Sequence, residues 1–261
     1  MDPVRELAPA KINLTLEVAG RRDDGLHEIA SLVAFASAGD TVALEPGGRC
    51  GVSVAGPFAG SLTGPNILEQ TLALLEQRAP QLALGAVHLE KTLPVAAGIG
   101  GGSADAGALL RAVRRASGVA SESVDWHRLA RLLGADVPVC LASRSLWMTG
   151  TGEGLSEIEG GLPPLDAVLV NPLADVPADK TARVFRALAA RALDAAYATP
   201  SAPRFSDHAE VLAFMRAHGN DLACAAERVV PEMGAVLATL GGLASCAYAS
   251  VSGAGPTCFG I

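Results

Sequence analysis

Hydrophobic and polar residues alternate strictly from Ala8 to Val18. Ala8, Ala10, Ile12, Leu14, Leu16 and Val18 share one face, and Lys11, Asn13, Thr15 and Glu17 share the other. A period of two predicts a half-buried β-strand over 8–18. Arg21-Arg22-Asp23-Asp24-Gly25 then predicts a turn or loop, and shorter strands are predicted at 31–36, 40–45 and 51–55. The period changes after Asn66. Ile67, Leu68, Thr71, Leu72 and Leu75 fall on one side of a helix over 66–78, and 86–91 returns to strand. Gly98-Ile99-Gly100-Gly101-Gly102 excludes regular structure. Ser103 is predicted to start a helix in which Ala106, Leu109, Leu110 and Val113 recur at i, i+3, i+4 and i+7. Asp105 lies in its first turn, where a carboxylate suits the dipole. A helix over 123–133 stops at Gly134, and a strand follows at 145–149. The glycine-rich stretch 150–161 is the expected domain boundary. Beyond it the pattern predicts a strand at 166–170, a helix over 180–193 and a Pro/Ser-rich loop. Helices near 206–217 and 231–240 and strands at 247–251 and 257–261 complete the chain.

Composition narrows what such a chain can do. Its 261 residues allow one large domain or two modest ones, and half are apolar, enough for a substantial core. Charged residues make up 18% and are well mixed, which argues against disorder. A net charge of -7 disfavours a nucleic-acid binder, so any anionic ligand needs a local source of positive potential. Five scattered cysteines without CxxC spacing read as free thiols in a reducing cytoplasm. The start of the chain carries no basic segment followed by an apolar run, and no stretch of about 18 apolar residues suggests a membrane span. The five histidines show no HxxxH or HExxH spacing, so no zinc site is expected, and no GxSxG elbow appears.

The strongest chemical signal is Pro94-Val95-Ala96-Ala97-Gly98-Ile99-Gly100-Gly101-Gly102-Ser103-Ala104-Asp105. A strand runs into a glycine loop and then into a helix start. Such a loop brings several backbone N–H groups to one anion, and the helix terminus adds partial positive charge. The plainer alternative is a turn that lets a helix pack closely. There is no Gly-Lys-Ser/Thr, so it is not a Walker A loop, and Ser103 stands where a dinucleotide fingerprint needs its third glycine. Ser103 is also a candidate for a phosphate or a metal-bound oxygen. Lys11 and Asn13, two apart on a strand, either bind oxygens together or form part of a solvated face. In Gly134-Ala135-Asp136-Val137-Pro138 the aspartate needs a partner among apolar neighbours, or it is a turn or cap residue. Ser252-Gly253-Ala254-Gly255-Pro256-Thr257 alone reads as a tight turn, His27 as an exposed loop histidine, and Arg111, Arg114 and Arg115 as a solvated helix face.

Taken in this order, the segments resemble a GHMP-type kinase. Pro9-Ala10-Lys11-Ile12-Asn13-Leu14 resembles the first motif of that superfamily, residues 94–105 its phosphate loop and residues 252–257 its third motif. Arg21 to Glu28, Gly39-Asp40, residues 134–138 and Asn220-Asp221-Leu222 narrow the resemblance to a branch acting on a cytidine diphosphate-linked polyol. That branch belongs to the non-mevalonate route to isoprenoid precursors. The resemblance implies an α+β fold of two lobes, mixed sheets with helices, and an active site in the cleft between the lobes. An N-terminal ATP-binding domain is expected over 1–155 and a C-terminal α+β domain over 156–261. ATP and Mg2+ are the implied cofactors, with Ser103 the one protein candidate for the metal. Lys11 and Asp136 match the catalytic pair. Asn66, Pro94, Gly98, Ile99, Gly100, Gly101, Gly102, Ser103 and Ala104 match ATP-binding positions, Asn66 near the adenine. Asn13, Leu26, His27, Asp105, Thr181 and Phe185 match acceptor-binding positions, His27 at the cytosine edge and Phe185 against the base. Leu26 departs from the usual tyrosine, which removes an aromatic face worth roughly 1–3 kcal/mol of stacking.

The implied reaction is ATP-dependent phosphorylation of the acceptor's 2-hydroxyl, with Asp136 as general base and Lys11 steadying the developing charge. Competing readings are a kinase of homoserine, mevalonate or a sugar, a silent nucleotide-binding regulator on the same fold, and a dehydrogenase, which the loop spacing disfavours. No nucleic acid or membrane partner is expected, and the expected assembly is a monomer or weak dimer.

Overall fold

The structure is a computed structural model that describes residues 2–177 and 179–261. Its elements, in chain order, begin with β1 (Val4–Asn13), β2 (Glu17–Arg21), β3 (His27–Pro46), β4 (Gly51–Ala55), α1 (Ile67–Arg78) and β5 (Gly85–Glu90). They continue with α2 (Gly101–Ser117), α3 (Trp126–Leu133), α4 (Val137–Ala142), β6 (Leu146–Gly150), β7 (Gly154–Glu157) and β8 (Val168–Val170). The last are α5 (Lys180–Leu188), α6 (His208–His218), α7 (Ala223–Val229), α8 (Glu232–Gly241), β9 (Ala249–Val251) and β10 (Cys258–Gly260). The residues fall into two units, each gathered from separate stretches of sequence. The first holds the stretch up to Lys11, Ala36–Val95 and Gly100–Arg144; the second holds Ile12–Phe35, Ala96–Ile99 and Ser145–Ile261.

In the first unit the later part of β3 pairs antiparallel with β5, from Thr41↔Glu90 to Pro46↔Gly85. β4 adds a parallel strand on the other side of β5. Val87 and Leu89 are buried and their neighbours His88 and Glu90 exposed, the alternation expected of a sheet covered on one face. Helices α1 to α4 pack together, with α2 touching the other three. Ala106, Leu109, Leu110 and Val113 are fully buried, as the helical period predicts. Gly107 is needed where α2 crosses α4: a Cβ there would lie 2.7 Å from the Cys140 carbonyl carbon. Arg111 is not on a solvated face. It bonds Glu6, the Cys140 carbonyl at 2.7 Å and the Leu7 carbonyl at 2.6 Å.

In the second unit β2 and the early part of β3 form a hairpin, and β3 continues its pairing to β6 with Leu32 opposite Trp147. β6 and β7 form a second hairpin whose turn and second strand lie in the glycine-rich stretch 150–161. A separate antiparallel sheet runs β8-β10-β9, and α8 packs on β9 and β10. Leu14, Leu32, Val184, Met215, Met233 and Phe259 belong to its core.

Four elements differ from the pattern-based expectation, each for a physical reason. The strand expected over 8–18 breaks after Asn13. Leu16 exchanges backbone bonds with Gly219 and Asp221 instead of continuing the ladder. The two strands expected at 31–36 and 40–45 are one strand. Gly39 is not a turn; it allows close approach, since a Cβ there would meet the Ala8 carbonyl at 2.5 Å. Helix α2 starts at Gly101 rather than Ser103, because Gly100 takes the left-handed conformation at the N-cap (φ 64°) and Ala104 N bonds the Gly100 carbonyl. The helix expected to run to residue 193 ends at Leu188. Residues 191–193 bond the edge of β2 at Arg21, where Gly20 leaves room for Leu193. Helix α7, rich in alanine, has too weak a polar face to stand out by periodicity. Among the described residues no helix is long and apolar enough to cross a membrane.

The α2–α4 crossing yields a direct test. Gly107→Val is expected to destabilise the protein by roughly 1–3 kcal/mol, because the added methyls meet backbone that cannot swing away. Denaturant unfolding of the purified variant reads this as a lower midpoint.

Candidate active site

The site begins with the polar positions of β1, and they are not solvated. Lys11, Asn13 and Thr15 are 4%, 2% and 0% exposed. Burial of polar groups is tolerated only with partners, and each has them. In the first unit Lys11 Nζ lies 2.9 Å from Asp136 Oδ1. Asp136 stands at the N-cap of α4 but makes no side-chain capping bond there, so its carboxylate turns to the lysine rather than to the helix. The aspartate side chain is 39% exposed, which leaves it open to an incoming group. Gly100 closes on the same lysine: a Cβ at Gly100 would lie 3.2 Å from Lys11 Cβ. Gly100, the lysine and the aspartate are therefore contiguous.

Below the bend lies a cluster that pattern reading did not find. Lys91, Asp40 and Asp105 are all essentially buried. Lys91 Nζ bonds Asp40 Oδ2, and it reaches Asp105 Oδ2 at 2.8 Å. Asp40 Oδ1 accepts from the amides of Thr92 and Leu93 at 2.6 and 2.7 Å. These bonds fix the segment between β5 and the glycine loop, on which Pro94 stands half-buried. A Cβ at Gly101 would be 3.3 Å from Lys91 Nζ, so the ammonium sits directly behind the first turn of α2. Burial works against the charge of Lys91, but the two carboxylates outweigh it and hold its pKa above the ordinary value. Burial pushes the Asp105 carboxyl up to about 7, with the Lys91 charge opposing, and its Oδ1 has no hydrogen-bond partner among the described residues. Asp105 thus faces the lysine in the interior, not solvent.

The remaining ATP-side candidates surround this bend. Ser103 is half-buried in the first turn of α2. Ile99 and Ala104 are buried, so only their backbone can meet a ligand. Gly102 faces Ile67 at the start of α1. Asn66 caps that helix, its side chain accepting from Leu68 N at 2.9 Å.

In the second unit a chain of hydrogen bonds ties three motifs together. Asn13 N donates to Ser252 Oγ at 3.1 Å, and Ser252 Oγ donates to the Gly98 carbonyl at 3.1 Å. Asn13 Nδ2 donates to Ser31 Oγ at 2.7 Å, and Ser31 Oγ donates to the Thr15 carbonyl. Asn13 Oδ1 faces Gly253, where a Cβ would lie 3.2 Å away. The backbone of Gly98 packs on that of Gly255 without room for a side chain.

A second cluster in this unit involves His27, Phe185 and Leu26. His27 opens β3 after the turn at Gly25, and its ring stacks on Phe185 of α5 with centroids 4.6 Å apart and planes 27° from parallel. Leu26, Arg21, Arg186 and Thr151 also line this pocket of about 640 Å³. Leu26 is 53% exposed, so its apolar face is available at the mouth. Burial first, and then the Arg21 charge, hold the His27 pKa below the ordinary 6.5, which keeps the imidazole neutral at pH 7. Thr181 is exposed on α5 one turn before Phe185 and is not part of the pocket lining.

The glycine bend, the lysine–aspartate pair and the α+β architecture define a class of protein. Residues 66–144 match the family described as GHMP kinases N terminal domain. A curated 4-diphosphocytidyl-2-C-methyl-D-erythritol kinase of Dinoroseobacter shibae is 44% identical over 99% of this chain and 85% of its own length. The one from Azorhizobium caulinodans is 45% identical over 97% of this chain and 88% of its own. A crystal structure of 4-(cytidine 5'-diphospho)-2C-methyl-D-erythritol kinase superposes with a TM-score of 0.76 at 34% identity, covering 98% of this chain and 89% of that one. Homoserine kinase from Cytophaga hutchinsonii shares the fold, with a TM-score of 0.65 at 16% identity over 100% of this chain and 85% of that one. The chain belongs to the 4-diphosphocytidyl-2-C-methyl-D-erythritol kinase family, and so to the ATP-dependent small-molecule kinases.

The buried cluster gives a stability test. Lys91→Met leaves two carboxylates buried without their cation and is expected to cost roughly 3–5 kcal/mol. Adding Asp40→Asn and Asp105→Asn is expected to recover most of that loss. Thermal melts of the single and triple variants measure both effects.

Proposed function

We propose that this chain transfers the γ-phosphoryl group of ATP to the 2-hydroxyl of 4-diphosphocytidyl-2-C-methyl-D-erythritol, in the cytoplasm, as a step toward isoprenoid precursors by the non-mevalonate route. The observation that carries the reading is the 2.9 Å Lys11–Asp136 pair packed against Gly100 of the glycine bend. Phosphoryl transfer asks for positioning and charge neutralisation more than for covalent chemistry by the protein. The amides of residues 98–103 hold the β- and γ-phosphates, and Asn66 lies toward the adenine. Asp136 takes the proton of the acceptor hydroxyl as its oxygen bonds the γ-phosphorus. The bond from that phosphorus to the oxygen bridging to ADP breaks, and ADP leaves with the electron pair. Lys11 holds the aspartate in place and offers its charge to the transferring group.

Among the described residues no group of three His, Cys, Asp or Glu converges as a metal cage. Magnesium would be held mainly by oxygens of the nucleotide and water, with the half-buried Ser103 hydroxyl the chain's own candidate donor. When bound it neutralises phosphate charge. Neutral His27 reads the cytosine edge, Phe185 and Leu26 cover the base, and Asn13 and Thr181 contact the polar remainder of the acceptor. The stacked His27 and Phe185 rings leave no space for a base between them, so the base uses the open Leu26 side of the pocket. Asp105 acts from below through Lys91 rather than by contact. Residues 1–155, which carry Lys11, the glycine bend and Asp136, form the ATP-binding part, and 156–261 the C-terminal α+β part.

Asp136→Asn is expected to lower kcat by about 10²–10⁴-fold while ATP still binds. Turnover close to wild type would remove Asp136 from the reaction. The proposed acceptor is expected to be consumed with ATP while homoserine and mevalonate are not. The acceptor KM is expected to stay flat near neutrality and to rise on the acid side of the ordinary imidazole range, as His27 gains a proton through its lowered pKa. His27→Gln is expected to abolish that rise.

A further inference from the structure

Three lysines in the described residues are almost completely buried: Lys11, Lys91 and Lys180. Two of them lie against carboxylates, Lys11 on Asp136 and Lys91 on Asp40 and Asp105. Lys180 is 3% exposed, and no carboxylate lies within ion-pair distance of it among the described residues. Among the described residues its ammonium donates to the backbone carbonyl of Gly255. An ammonium carries three donors, so a neutral carbonyl leaves two of them and the whole charge uncompensated. Burial alone pulls its pKa down to about 8, which leaves it mostly charged at neutral pH. A buried cation without a counter-ion is costly, and a ligand anion removes that cost.

The position of Lys180 says which anion. It is the first residue of α5, the helix that carries Thr181 and Phe185. Phe185 lies five residues on, roughly 7.5 Å along the axis and about 140° around it, so Lys180 shares the buried face of Val184 and stands at the end of the helix next to Thr181. The amides of the first turn of α5 point the same partial charge toward that end of the helix. In a chain of net charge -7, a diphosphate needs such a local source.

We infer that Lys180 is a specificity-determining residue that supplies the counter-charge to the diphosphate of the nucleotide-linked acceptor, an inference that rests on the acceptor proposed above. The Gly255 carbonyl holds the side chain in place, and the two remaining N–H groups take the phosphate oxygens.

Calorimetric titration of the full-length protein with cytidine and with cytidine diphosphate tests this without turnover. The wild type is expected to bind cytidine diphosphate more tightly than cytidine by about ten- to a hundredfold, the range of a charge-assisted hydrogen bond. Lys180→Met is expected to reduce the diphosphate to the affinity of cytidine and to leave cytidine unchanged, while Lys180→Arg keeps most of the preference. In turnover, the Met variant is expected to raise the acceptor KM and leave kcat and the ATP KM within about twofold. If Met does not fold, Lys180→Gln, which keeps a donor for Gly255, takes its place. A diphosphate preference that survives in the variant would overturn the inference. So would equal loss of cytidine and cytidine diphosphate binding with a lowered melting temperature, the mark of a strut for the Gly255 loop. A wild type that binds neither compound would instead sink the acceptor assignment and this inference with it.

Discussion

Burying the polar side of one strand is the constraint on which the site depends. A β-strand places every second residue on the same face, and in β1 that face holds Lys11 and Asn13, with Thr15 just beyond. Water would satisfy them at no cost on an exposed edge. Inside the protein each must be matched, and the matching partners come from distant points of the sequence: Asp136 for the lysine, Ser31 and Ser252 for the asparagine. A polar residue held this way has one orientation, and a fixed orientation is what proton transfer and phosphoryl transfer require.

Glycine enters where backbone has to come close to these residues. Gly100 adopts the left-handed conformation and lies against the lysine stem, and Gly98 lies flat on Gly255. A side chain at either place would push the bend away from the groups it serves. If the bend holds phosphates, as proposed, it needs positive potential in a chain with excess acid. Lys11 stands beside it and Lys91 behind its first helical turn, each held by carboxylates that allow a charge to persist indoors.

Much of the fold was legible because period and burial agree. The α2 face of Ala106, Leu109, Leu110 and Val113 follows from spacing alone, as do the alternating residues of β5. The glycine bend stood out as a candidate anion site because four glycines before a serine have few other uses. What spacing could not supply was partnership. Nothing local distinguishes the polar face of β1 from a solvated one, because the groups that bury it lie far along the chain. Gly39 reads as a turn unless Ala8 is known to cross it. Lys91 reads as the end of a strand, and its carboxylates stand 51 and 14 residues away. Arg111 looked exposed because its acceptors are backbone carbonyls, which leave no trace in side-chain pattern. A buried lysine such as Lys180 carries no sequence signature at all, since charge is read locally as a mark of surface.

We propose that Lys11 and Asp136 act as one unit beside Gly100. A double-mutant cycle on kcat, with Lys11→Met, Asp136→Asn and both together, measures that coupling directly. Residues that act as a unit are non-additive, so the double variant is predicted to be hardly slower than the worse single variant. If the two losses instead multiply, the residues work independently and the pairing seen in the structure does not organise the chemistry.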